Sequence, residues 1–182
     1  MIRVIAGTAR SIHLETVTGS RVRPTLDRVR EAAFSILMPR LEGCRFADCF
    51  AGSGANGIEA LSRGAVHCAF VDHDRHCLDI VERNLTKTRL DPKATCHRLK
   101  LPQGMAQLGA LEPPFDLVYA DPPFEFTEYE VFLGGLLEHG LLNAQATVII
   151  EHAANRPMPV GVQSLTRTRQ ATYGTVSLSF FS

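Results

Sequence analysis

The sequence predicts an α/β fold: a doubly wound, mostly parallel sheet with an antiparallel pair at its C-terminal edge and a small N-terminal β-hairpin and helix in front. Three observations predict it. From residue 44 onward, short apolar runs alternate with segments whose apolar residues recur at helical spacing, the pattern of parallel strands joined by crossover helices. A glycine-rich loop follows the first of those strands. The 182 residues, 45% hydrophobic and 21% charged, suit one ordinary globular domain with a small appendage.

The elements follow in order. Arg3–Ile5 and Ile12–Val17 read as short strands around a turn at Gly7–Ser11. After an extended stretch with Arg21, Arg23 and Pro24, Thr25 is placed to cap a helix whose first turn carries Asp27, where the helix dipole favours an acid. Leu26, Val29, Ala33, Ile36 and Leu37 form its apolar face, and Pro39 is expected to stop it. Arg45–Phe50 reads as a buried strand, Ala55–Arg63 as a helix closed by Gly64, and Val66–Val71 as a strand ending in Asp72. Asp74 caps a helix that runs to Leu90. Ala94–Leu99 and Phe115–Ala120 are the third and fourth strands, Tyr129–His139 is helical, and Ala146–Glu151 is the fifth strand. Val162–Arg169 and Tyr173–Phe181 have only Gln170–Thr172 between them, so they are expected to pair antiparallel.

Composition narrows the class. The apolar content excludes a disordered or collagen-like chain. No apolar run approaches ~20 residues, and the start lacks a basic-then-apolar leader, so a cytoplasmic location is expected. Cys44, Cys49, Cys68, Cys77 and Cys96 are odd in number with no C-x-x-C pair, which suits a reducing compartment. Net charge is zero, but residues 1–40 hold seven arginines against Glu15, Asp27 and Glu31, and the rest is correspondingly acidic. A basic front on an acidic body fits a polyanionic partner, and equally a solvated arginine-rich surface.

Chemistry is expected just after the strands, because ligands of such sheets bind outside the strands' carboxyl ends. Gly52, Gly54 and Gly57 match G-x-G-x-x-G, which serves either a dinucleotide or S-adenosylmethionine. Asp72, fifteen residues on, is placed to accept the hydroxyls of an adenosine ribose. Asp48 precedes the loop; a carboxylate there disfavours a pyrophosphate and suits the cationic sulfonium and amino group of S-adenosylmethionine. The fourth strand runs into Asp121-Pro122-Pro123-Phe124. Two prolines stiffen the backbone and remove two donors, leaving the Asp121 carboxylate and the Pro122 carbonyl as acceptors beside one aromatic plane. That set fits a planar exocyclic amine whose ring stacks on Phe124.

The loop Phe50-Ala51-Gly52-Ser53-Gly54 with Asp121-Pro122-Pro123-Phe124 resembles class I methyltransferases that modify exocyclic amines of bases. Arg3-Val4-Ile5-Ala6-Gly7, Arg23-Pro24-Thr25, Asp27 to Ala32, the run Gly57 to Ala65, and Tyr173-Gly174 narrow the resemblance to the RsmD family of small-subunit ribosomal RNA guanine-N2 methyltransferases. The resemblance implies a seven-stranded Rossmann-like sheet and methyl transfer from S-adenosyl-L-methionine to N2 of one guanine in 16S rRNA, assembled with small-subunit proteins. It implies that Asp121, Pro122 and Phe124 handle the base, and that Asp48, Phe50, Ala51, Gly52, Ser53, Gly54 and Asp72 bind the cofactor. Asp72 stands where the family more often has Glu, and Gln103 is the residue after the third strand available to the adenine amine.

On this reading residues 1–40 form an RNA-contacting extension, with Arg3, Arg10, Arg21, Arg23, Arg28 and Arg30 on phosphates, and residues 41–182 form the methyltransferase domain. No metal, membrane or DNA partner is expected; Cys68, His73, His76 and Cys77 lie close together without the spacing of a structural zinc site. The alternatives are an NAD-linked oxidoreductase using the glycine loop, a DNA or other-RNA amine methyltransferase, and a non-catalytic assembly factor.

Overall fold

The computed structural model describes residues 2–17 and 24–182. Strands β1 (Ile2–Arg3) and β2 (His13–Leu14) pair antiparallel ahead of helix α1 (Pro24–Leu41). Then come β3 (Arg45–Cys49), α2 (Ala55–Ser62), β4 (His67–Asp72), α3 (Arg75–Thr88) and β5 (Ala94–Arg98). Helix α4 (Met105–Leu111), β6 (Phe115–Ala120), α5 (Tyr129–Glu138) and β7 (Leu142–Ala153) follow, and β8 (Gly161–Val162), β9 (Leu165–Tyr173) and β10 (Val176–Phe181) end the chain. The main sheet has the order β5-β4-β3-β6-β7-β10-β9-β8. Strands β3 to β7 pair in parallel, and β10 runs antiparallel to both β7 and β9.

Alternation along the strands sends residues to two cores. Phe46, Leu117, Tyr119 and Ile149 face Val29, Ala33 and Phe34 of α1 with Ile58, Leu61 and Val81 of the next two helices. Ala47, Val118, Val148 and Ile150 face Met105, Leu108, Phe132 and Leu136 of α4 and α5. Both faces of the central strands β3, β4 and β6 are therefore largely dry, which is why they read as apolar runs, whereas the edge strand β5 is half-exposed.

The first residues are stitched to α2. Glu59, fully buried, accepts the amides of Ile5 (2.7 Å) and Ala6 (3.0 Å) and an Arg63 Nε–H at 2.7 Å. Ser62 Oγ donates to the Ala6 carbonyl (2.6 Å) and accepts from the Ala9 amide (2.9 Å). Buried Asn84 of α3 accepts from the Glu15 amide and donates to the carbonyls of Glu15 and Ser53, joining this segment to the glycine loop.

Several expectations are corrected. The main sheet has eight strands, not seven, because the two-residue β8 adds an edge. Helix α1 continues through Pro39 to Leu41, so the ring costs the bond to the Ser35 carbonyl without ending the helix, and Thr25 lies inside the helix and not at its cap. Helix α4 was not anticipated: seven residues without a capping side chain give no sequence signal, and burial of Met105 and Leu108 holds it. Strand β7 begins at Leu142, since its first residues are solvent-facing and hide the pattern. The closing turn falls at Gly174 (φ +63°), not at Gln170–Thr172, because β9 is a mostly polar strand that mimics a loop.

The lower end of the sheet is tied by Glu112, which accepts Arg45 Nη2–H at 2.8 Å and hydrogen bonds from Thr95 and His97. Burial pushes the Glu112 carboxyl up, but the hydrogen bonds from Thr95 and His97 and the nearby imidazoles outweigh it, leaving it below the usual carboxylate range. Burial meanwhile holds His67, 3.2 Å away, below its ordinary value, so hydrogen bonds and not a charged His67 carry the cluster. A lowered acid stabilises the fold above its unfolded pKa, and that contribution fades as pH drops through the folded value. Glu112→Gln is expected to cost about 1–3 kcal/mol at neutral pH, with the gap from wild type narrowing in acid, as read from urea midpoints across pH.

Candidate active site

The site lies at the carboxyl ends of β3, β4, β6 and β7. Asp48, on β3 and only 1% exposed, accepts the Gly57 amide through Oδ2 at 2.8 Å. Its Oδ1 is buried with no hydrogen-bond partner among the described residues. Burial, opposed by the Gly57 hydrogen bond and aided by Asp72, pushes its pKa up to about 8.

The chain then turns sharply. Phe50 adopts φ +61°, a left-handed conformation that costs a non-glycine residue roughly 1–2 kcal/mol. Its ring is held against Phe126 (5.2 Å between centroids) and Phe132 (5.8 Å). Gly52 (φ +54°) and Gly54 (φ +75°) carry the loop to α2, and a Cβ at Gly52 would meet nothing within 4 Å, so the loop borders open space. Gly57 is required for a different reason: a Cβ there would sit 2.3 Å from the Phe70 ring. Ala51 is buried, and its amide donates to Val71; the Ser53 carbonyl is held by Asn84.

Asp72 ends β4. Its Oδ2 accepts the Gly52 amide and its Oδ1 the Asp74 amide, each at 2.9 Å, which locks the acid to the glycine loop. Gln103, expected near the adenine, is exposed and its amide lies 3.4 Å from Glu128.

Asp121 leaves β6 with its amide 3.3 Å from the Cys49 carbonyl, beside the loop. Its side chain keeps solvent contact and has no hydrogen-bond partner among the described residues. Loss of hydration among the surrounding residues pushes its carboxyl up, as do Glu151 and Asp48. Solvent screens part of this, but the two neighbouring acids fix the direction. Pro122 is buried, whereas Phe124 presents its ring outward at 66% exposure. A large exposed aromatic beside an open carboxylate is the informative case, since buried aromatics need no explanation.

The arginine front divides. Arg3 and Arg10 flank a polar depression with Ser11 and Glu31, and Arg28 is also exposed. Arg21 and Arg23 lie outside the described residues. Arg30 is 5% exposed and donates to the Arg3 carbonyl at 2.6 Å, so it braces the front from beneath; this corrects its expected place on phosphate.

Sequence reasoning missed two features. Arg156 donates to the Phe124 carbonyl at 3.0 Å, and the only signal was a charge just after a strand. Glu151, which the sequence shows only as the last residue of the expected fifth strand, is buried and accepts the Tyr119 hydroxyl at 2.9 Å.

The strand order, the loop after β3 and the acid after β4 define a class I methyltransferase fold. The chain belongs to the family described as Conserved hypothetical protein 95, the RsmD family, which it matches over residues 2–182. Ribosomal RNA small subunit methyltransferase D of Haemophilus influenzae is 32% identical over 187 residues, covering 99% of this chain and 93% of that protein. The solved structure of yhhF from Escherichia coli superposes with a TM-score of 0.82 at 30% identity, covering 99% of this chain and 96% of that one. SMU.776, solved with SAH, shares the fold at 15% identity and a TM-score of 0.72, over 88% of this chain and 50% of that one.

An acid whose pKa rises on folding takes up protons in the native state, so stability falls as pH rises from the unfolded value toward the folded one. Asp48→Asn removes that penalty and keeps an acceptor for Gly57. The variant is expected to gain stability over wild type progressively between about pH 4 and pH 8, in denaturant melts at several pH values.

Proposed function

We propose that this chain transfers a methyl group from S-adenosyl-L-methionine to the exocyclic N2 amine of a guanine in 16S rRNA, within the assembled or assembling small ribosomal subunit. Membership of the RsmD family supports a methyltransferase acting on ribosomal RNA. One observation carries the finer reading: an open carboxylate and an outward-facing aromatic ring share the end of β6, directly beside the glycine loop.

The loop suits the cofactor. The open space at Gly52, the Asp72 carboxylate and the unpartnered Asp48 oxygen together form an acid-rich cradle: a sulfonium or ammonium beside Asp48 would favour its charged form over the protonated one that burial favours in the free protein, whereas a pyrophosphate would not. That chemistry disfavours a dinucleotide. Phe50 to Gly54 with Asp48 would hold the methionine part, and Asp72 the ribose. When bound, S-adenosylmethionine supplies an already activated methyl group.

The protein's task is then placement. The N2 lone pair of guanine is delocalised into the ring and is a poor nucleophile. Phe124 stacks the unstacked base, offsetting part of the cost of extruding it with roughly 1–3 kcal/mol. Asp121 and the Pro122 carbonyl accept the two amine hydrogens and turn the lone pair toward the methyl, the nitrogen waiting at about 3–3.5 Å. As positive charge grows on nitrogen, the Asp121 carboxylate stabilises it. Residues 1–40 serve as the RNA-contacting extension, with Arg3, Arg10 and Arg28, joined by Arg21 and Arg23, on phosphates that set register. Residues 41–182 carry the chemistry.

Labelled methyl transfer to undermethylated small subunits, followed by nucleoside analysis, is expected to yield N2-methylguanosine, with naked RNA a poorer substrate. A different methylated nucleoside, or none, overturns the reading. Asp121→Ala is expected to abolish turnover while calorimetric affinity for S-adenosylhomocysteine stays within about twofold of wild type.

A further inference from the structure

Strand register sets two acids side by side. Ala120 pairs with Ile150, so Asp121 and Glu151 are the next residues along β6 and β7. Tyr119 and Ile149 face the layer of α1, and alternation returns Asp121 and Glu151 to that same face. Asp48 reaches it too, paired in register with Tyr119.

Glu151 is 8% exposed, yet strand packing alone gives no reason for a carboxylate there. Its Oε2 is held by the Tyr119 hydroxyl at 2.9 Å, and the Tyr119 ring is itself stacked 6.4 Å from that of Phe34. Burial pushes the Glu151 carboxyl up; the Tyr119 hydrogen bond and the charge of Arg30, from α1, pull it back. A buried acid that recruits a phenol and an arginine to remain in place, against a second acid, has a cost that only its neighbour's chemistry explains.

Resting on the reading above, we propose that Glu151 is a positioning residue: fixed by Tyr119, its carboxylate acts through Asp121 and makes Asp121 the acceptor of the proton that N2 sheds. As the nitrogen–carbon bond forms, the carbon–sulfur bond breaks and its electron pair leaves on sulfur. The cationic N2 gives one proton to an Asp121 oxygen, and Asp121, in contact with solvent, releases it to water. A proton arriving on Asp121 relieves its repulsion with Glu151, whereas an isolated aspartate gains no such relief. The charged and titratable groups within electrostatic reach of this pair are Asp48 from β3, Tyr119 from β6, Tyr129 from α5 and Arg30 from α1, with Arg156 beside Tyr129.

Glu151→Gln keeps the size and an acceptor for Tyr119 and removes the charge. Two measurements test it. In the free protein, a carbon-13 carboxyl titration by NMR follows Asp121; its midpoint is expected to fall by about one pH unit in the variant. On undermethylated small subunits, the acid limb of the kcat profile is expected to move down by the same amount, with affinity for S-adenosylhomocysteine unchanged. Tyr119→Phe makes Glu151 harder to ionise, so it is expected to shift both readouts in the same direction by less, and it carries the test should Glu151→Gln not fold. An unmoved Asp121 midpoint overturns the proposal. So does a midpoint that moves while the acid limb stays, since the pair would then be coupled without use in the reaction. Absence of N2-methylguanosine from the wild-type reaction is a separate result; it removes the functional reading and this proposal with it.

Discussion

A buried carboxylate with a single backbone partner organises the site. Asp48 ends the first strand of the parallel sheet and is tied to the Gly57 amide in the first turn of α2. That bond fixes the ends of the glycine loop, which then has no freedom except through residues that tolerate left-handed backbone. Gly52 and Gly54 do so at little cost. Phe50 does so under strain, and the aromatic wall of Phe126, Phe132 and Tyr129 holds it there. Phe126 and Tyr129 follow the Asp-Pro-Pro-Phe segment, so one packing arrangement sets both the glycine loop and the Asp121–Phe124 corner.

The acids of this chain sort by how completely their oxygens are used. Glu59 holds two amides and an arginine, and Glu112 holds an arginine, a hydroxyl and an imidazole. Their lone pairs are largely spent inside the fold, and their role is to join elements distant in sequence. Asp48 keeps an unpartnered buried oxygen, and Asp121 keeps both of its oxygens open among the described residues. A buried polar atom left unsatisfied is destabilising, so its retention points to a ligand that completes the set. These two acids stand at adjacent strand ends, Asp48 on β3 and Asp121 just after β6, whereas Glu59 sits on α2 and Glu112 at the far end of the sheet.

Much of this was legible in the sequence because it depends on local chemistry. A strand, a glycine loop and a helix are written in consecutive residues, and proline after Asp121 announces a rigid strand end. The central parallel strands were legible because both faces are largely dry. Elements stabilised by distant partners were not. Helix α4 has no cap of its own, β9 is polar because it pairs near an edge, and β8 is too short to leave a pattern. Arg30 read as one more surface arginine in a basic run, and only the fold shows that it turns inward beneath Arg3. Glu151 was ambiguous for the same reason: register across β6 and β7 puts it beside Asp121, and register is a property of two segments about thirty residues apart.

The charge distribution poses a problem that the fold resolves. Asp48, Asp72, Asp121 and Glu151 gather at the carboxyl ends of β3, β4, β6 and β7, and on the proposed reading this concentration of acids suits a cation better than a polyanion. Of the arginines expected on phosphate, the described ones that remain exposed are Arg3, Arg10 and Arg28; Arg3 and Arg10 lie on the segment that Glu59 and Ser62 clamp to α2. Arg30 is the exception: buried between the two regions, it hydrogen-bonds the front and moderates Glu151. A single inward-facing arginine pulls the Glu151 carboxyl back without outweighing its burial, so Glu151 stays raised beside Asp121, while Arg28 and Glu31 on the same helix face solvent.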